Sequence, residues 1–159
     1  MEAAMKKSLS VIVMAYVLIA GVQAQDIVQG PAGAGDAMMS VDPSKAVFDL
    51  SGLAPGVIPF TSEAAAQAIA SHKRVVYFFA ASWCPTCRQT YRDLKANARM
   101  VPSDLVIVVV DYDKSAALKA KYGISYQHTF VSLGSKGEKL KVWSGTTKVA
   151  EIARNAVGM

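Results

Sequence analysis

Only two cysteines occur in the 159 residues, and they lie three apart in Trp83-Cys84-Pro85-Thr86-Cys87. A β-branched and aromatic run, Arg74 to Ala80, precedes them, and a helical pattern to about Arg99 follows. Pro85 suits the first turn of a helix, where its missing N–H would have no partner. Cys84 then falls where unpaired N–H groups and the positive helix end favour a thiolate. Cys87, one turn on, can return to Cys84 and resolve a mixed disulfide. Arg88 adds positive charge nearby, and Trp83 would shield one side of the sulfur and offer substrates an apolar surface. This is thiol–disulfide exchange chemistry.

A structural disulfide and a metal site are the other uses of such a pair. A structural disulfide closing a loop of about four residues would contribute only roughly 2 kcal/mol, against about 3 kcal/mol for a loop of about 15. A structural zinc site takes four ligands, and there are only two cysteines.

The elements that must position the pair are readable from Thr61 onward. Thr61-Ser62-Glu63 opens an Ala-rich helix to about Ser71, with a hydroxyl cap and an early acid. Arg74–Ala80 and Leu105–Val110 are continuous apolar runs, as in strands buried on both faces. Lys114–Tyr122 reads as a short helix closed by Gly123. Thr129–Leu133 and Lys139–Trp143 flank the Gly134–Gly137 turn as a hairpin, and a last helix runs from about Thr147 to Ala156. The order implies an α/β fold: a central mixed β-sheet with helices on both faces.

The first sixty residues read differently. Lys6-Lys7, the apolar run Leu9–Ala20 and the exit Val22-Gln23-Ala24 have the layout of a secretory signal peptide, with cleavage expected after Ala24. The run falls short of the roughly 20 residues a bilayer span needs; the alternative to cleavage is an uncleaved anchor, which would be the chain's membrane contact. Residues 25–59, rich in Gly, Pro, Ala and Ser, read as a flexible linker or arm. Ala46–Leu50 is a candidate added edge strand within it, and 60–159 is the folded domain. Net charge is +5, with basic residues scattered in short groupings such as Lys73-Arg74 and Lys139/Lys141. A nucleic-acid surface would need a dense patch interleaved with aromatics, so no nucleic-acid partner is expected.

Residues Thr61 to Val157 resemble the thioredoxin superfamily in Ala81–Arg88, Val110-Asp111-Tyr112-Asp113, Lys121-Tyr122-Gly123-Ile124 and the terminal hairpin with Gly145. The resemblance implies a thioredoxin-like fold, with Cys84 as attacking nucleophile and Cys87 as resolving thiol. It implies protein thiols and disulfides as partners and no bound cofactor. Three positions depart from the family pattern. His128 stands where the cis-proline facing the cysteines is expected, so the loop should be trans or reshaped. Phe78 and Val109 stand where the family buries an Asp and its partnering Lys.

His128 is therefore a candidate to tune the Cys84 thiolate, to accept protons, or to complete a metal site with both cysteines. The plain alternative is a partly exposed loop residue. Tyr126, Gln127 and Thr129 are candidates for lining a substrate groove, while Trp143 and Tyr112 read as packing and His72 as surface. Pro85-Thr86 resembles the dipeptide of periplasmic thioredoxin-like reductants, which implies a reductase supplied with electrons by a membrane donor, and the leader puts its expected place in the periplasm or otherwise outside the cytoplasm. A thioredoxin-fold protein- or metal-binding module with little turnover is the alternative.

Overall fold

The computed structural model describes residues 42–158. The expected leader and the first part of the expected linker, through residue 41, lie outside the described residues. Five strands form one sheet: β1 (Val57–Pro59), β2 (Arg74–Ala80), β3 (Leu105–Asp111), β4 (Thr129–Leu133) and β5 (Lys139–Ser144). Four helices join them: α1 (Glu63–Ala70), α2 (Pro85–Asn97), α3 (Ala116–Tyr122) and α4 (Val149–Asn155). The strand order is β1-β3-β2-β4-β5. The first three strands are parallel, and β4 and β5 turn back antiparallel.

Side-chain alternation along β2 divides the core into two layers. Val76, Phe78 and Ala80 face Leu94 of α2 and Val149 and Ile152 of α4. Val75, Tyr77 and Phe79 face Ala66 and Ala70 of α1 and Leu118 and Tyr122 of α3. The six β2 side chains from Val75 to Ala80 are all buried, and a fully buried Val or Phe contributes about 1.5–3 kcal/mol. That explains why this strand reads as an unbroken apolar run. The Ser62 hydroxyl caps α1 by accepting from Ala65 N at 3.1 Å. Gly123 ends α3 in the left-handed conformation, φ 70°, which a side chain would resist.

The expected fold is present, but the arm before it needs correction. Ala46–Leu50 is not a strand, and the described part of the 25–59 stretch is not a loose linker. Asp42 caps a single turn, Pro43–Lys45, through Ser44 N. The chain then lies over α2, where Phe48 stacks on Tyr91 with ring centroids 4.6 Å apart. The Tyr91 hydroxyl donates to the Asp49 carbonyl at 2.6 Å. Leu50, Leu53 and Val57 are buried in the α2/α4 layer, and Val57–Pro59 is the edge strand β1 itself. Pro43, Gly52, Pro55 and Gly56 hid these apolar anchors because they shape the turns around them.

Candidate active site

β2 delivers the chain to a bend at Ser82-Trp83, and Cys84 takes the N-cap of α2 with Pro85 as the first helical residue. The capping atom is the sulfur: Cys87 N donates to Cys84 Sγ at 3.2 Å. The Thr86 hydroxyl lies 3.1 Å from the same sulfur. Both cysteines are free and buried. Burial alone would push the Cys84 thiol up. Hydrogen bonds from the Cys87 thiol, the Thr86 hydroxyl and the Cys87 and Thr86 amides outweigh it and hold the thiol below its usual range. Cys87 goes the other way. Burial, with its bond to Cys84, pushes it up to about 12 against the opposing Ala81 and His128 amides. One sulfur is prepared as a nucleophile, while its neighbour keeps its proton until the first has reacted.

Beneath the pair lies the loop that carries His128. The peptide there is trans, since Ala54–Pro55 is the only cis bond among the described residues. His128 instead has φ 58°, the only positive value outside glycine among them, an uncommon conformation for a side-chain-bearing residue. The expectation of a partly exposed residue is corrected, because His128 is 6% exposed. Its N–H donates to the Phe79 carbonyl at 2.8 Å. Its ring meets Phe78 and Phe130 edge-on, with centroids 5.8 and 5.5 Å apart. Nε2 lies 3.0 Å from the Thr90 hydroxyl, which also reaches the Thr86 carbonyl at 3.1 Å. Burial holds the imidazole below its usual pKa, with the Thr146 carbonyl opposing, so the neutral ring is favoured.

The ring therefore serves the core and not the Cys84 sulfur, whose bonds come from Cys87 and Thr86. Nor is the Cys84/Cys87/His128 metal triad assembled: among the described residues no three His, Cys, Asp or Glu side chains come within ligating reach. Phe78 and Val109 are register partners on β2 and β3 and are both buried. Phe78 stacks on Phe130 at 4.6 Å, so the layer under Cys87 is apolar where the resemblance places an ion pair.

Around the cysteines, Trp83 and Tyr126 are each 54% exposed. The indole of Trp83 donates to Asp113 Oδ2 at 3.0 Å, which fixes the ring's orientation. Gln127 is half-buried beside Tyr126. Thr129 is corrected: it is buried, and its hydroxyl donates to the Tyr126 carbonyl at 2.9 Å, so it braces the loop and presents nothing to a substrate. Tyr112 and Trp143 pack as expected, the first bonding the Ser125 carbonyl at 3.0 Å and the second stacking on Phe130. His72 is exposed. Thr90 was missed by the sequence reading. Its signal was a hydroxyl three residues after Cys87, on the buried face of the helix.

Three comparisons bear on this arrangement. A family model described as Thioredoxin matches residues 56–157. Thioredoxin-1 of Drosophila melanogaster is 34% identical over 64 residues, which cover 40% of this chain and 60% of that protein. The match thus spans less than two thirds of that relative's length. Among solved structures, Trxlp from Edwardsiella tarda is 26% identical with a TM-score of 0.50, covering 62% of this chain and 95% of its own. The reduced thioredoxin pre-protein of Schistosoma mansoni is 26% identical with a TM-score of 0.52, covering 63% and 94%.

Proposed function

The chain belongs to the thioredoxin family, and on that premise we propose that it is an extracytoplasmic thiol–disulfide oxidoreductase that reduces disulfides in protein substrates. The carrying observation is the placement of the two sulfurs, Cys84 Sγ at the N-cap of α2 accepting from Cys87 N at 3.2 Å and lying 3.1 Å from the Thr86 hydroxyl, with Cys87 one turn on and buried; it favours the thiolate at Cys84 and the thiol at Cys87. The Cys84 thiolate attacks one sulfur of a substrate disulfide, forming a mixed disulfide and releasing the other sulfur as a thiolate. Cys87 then loses its proton and attacks Cys84 Sγ. The Cys84–Cys87 disulfide forms, and the second substrate sulfur leaves as a thiolate. The substrate has gained two electrons and the enzyme has lost two. A dithiol donor must restore the pair.

The apolar run Leu9–Ala20 with its small-residue exit supports work outside the cytoplasm. There a membrane protein is the fitting electron donor, and Pro85-Thr86 supports the reducing direction. Trp83 and Tyr126 offer the apolar surface on which a polypeptide substrate would lie.

The reduction potential of the pair, measured by equilibration with dithiothreitol and glutathione, tests the reading. A value near or below about −270 mV is expected of a reductase, and one near about −120 mV would make the protein an oxidant of folding chains. A pair that equilibrates with neither couple would leave a binding module as the better account.

A further inference from the structure

Arg88, Arg92 and Lys95 recur at helical spacing along α2, and Arg99 continues the row on the turn that follows. All four are exposed, and among the described residues none is paired with a carboxylate. The one acid of the helix, Asp93, is turned away to Lys148 Nζ at 3.1 Å and Val149 N at 2.8 Å. No acid occupies the first turn of α2. Like charges three and four residues apart weaken a helix, and a cation near its N-terminus opposes the dipole. Among the described residues the row is thus left without an acidic partner, although Lys95 in the last turn suits the dipole and stands over the Tyr91 ring at 5.7 Å. It is also continuous with the site: Arg88 follows Cys87 in the chain, and its guanidinium lies 3.5 Å from the Ser82 carbonyl, beside Trp83.

We propose that this ridge is a docking track for acidic protein substrates, which lay a carboxylate-rich segment along α2 and so bring the adjoining disulfide to Cys84. The inference rests on the disulfide-reductase reading and adds the substrate class to it. An acidic polypeptide suits the row better than a flat anionic surface, because the cations recur along one helix at three- and four-residue spacing from Arg88, next in the chain to Cys87.

The test uses the full chain and two peptides, identical apart from glutamates or lysines flanking one internal disulfide. The uncharged bis(2-hydroxyethyl) disulfide is the reference substrate. At low salt the glutamate peptide should be reduced with kcat/KM about tenfold above the lysine peptide, and the preference should shrink as salt is added. Arg92→Glu combined with Lys95→Glu should abolish the preference and leave reduction of the uncharged disulfide unchanged, with the far-UV spectrum confirming the fold. Equal rates for the two peptides, or a preference that survives the double substitution, overturn the docking track while the reductase reading stands. Equal rates together with co-sedimentation on phosphatidylglycerol/phosphatidylcholine vesicles that the double substitution abolishes assign the ridge to a membrane surface instead. Failure to reduce even the uncharged disulfide overturns the reductase reading, and the track with it.

Discussion

The Nε2 atom of His128 lies 3.0 Å from the hydroxyl of Thr90, one helical turn beyond Cys87. That contact closes a small polar cluster inside an apolar layer. The hydroxyl bonds the Thr86 carbonyl and lies 3.4 Å from that of Thr146, while Phe78 and Phe130 wall the ring. A residue at φ 58° needs such an anchor, because the left-handed conformation costs roughly 1–2 kcal/mol for most residues. The ring supplies it.

Stability should fall as pH drops below about 6.5, the ordinary imidazole pKa. His128 has a depressed pKa when folded, so between its folded and unfolded values the unfolded chain binds more protons. Its contribution is fully present above the unfolded pKa and lost as pH falls through the folded one. Urea unfolding at pH 7.5 and 5.5 measures the slope. His128→Asn, which tolerates the left-handed backbone but carries no titrating ring, should flatten it and so separate this contribution from that of Cys84. A slope unchanged by the substitution would mean that the ring is not held neutral.

The two thiols should titrate far apart. Iodoacetamide at neutral pH should label Cys84 alone, since Cys84 is held below and Cys87 well above the ordinary thiol range. Peptide mass analysis after graded alkylation identifies the sites. Cys87 should become reactive only at strongly alkaline pH. Comparable labelling of both at pH 7 would contradict the assignment of nucleophile and resolving thiol.

The residues that carry periodicity or a motif were legible in the sequence. β2 has the boundaries its apolar run indicated, β3 extends one residue further to Asp111, and the Cys-Pro-Thr-Cys segment is the helix start that its proline called for. Long-range geometry was not legible. Leu50, Leu53 and Val57 looked like parts of a Gly/Pro-rich arm because their partners, Leu94 and Ile107, lie far along the chain. The position of His128 was singled out, yet its burial and turned backbone depend on Phe130 and Thr90, which no local pattern connects to it. Arg88, Arg92, Lys95 and Arg99 seemed scattered until the helix aligned them.

If residues 43–56 are an integral strap and not a linker, substitutions there should act like core substitutions. Leu50→Ala removes a buried side chain and should cost about 2–5 kcal/mol. Tyr91→Phe deletes the hydroxyl bond to the Asp49 carbonyl and should cost about 1 kcal/mol. Phe48→Ala loses the stacked pair, worth about 0.5–1.5 kcal/mol beyond area burial. Denaturant unfolding of the three variants checks this. Effects within about 0.5 kcal/mol, as at ordinary surface positions, would restore the linker.

Thr86 should set part of the redox poise. Its hydroxyl, 3.1 Å from Cys84 Sγ, is among the groups that hold this thiol down, and it stabilises only the reduced form, in which a thiolate exists. Thr86→Val keeps the shape and deletes the donor. The Cys84 alkylation profile should then move to higher pH. The potential should become more negative, because the reduced state has lost a stabilising bond that the disulfide never had. A net contribution of about 1 kcal/mol corresponds to a shift of about 20 mV for a two-electron couple. Thr86→Ser should restore both values. A potential that does not move when the donor is removed would show that the Cys87 amide and the helix start poise the thiolate without Thr86.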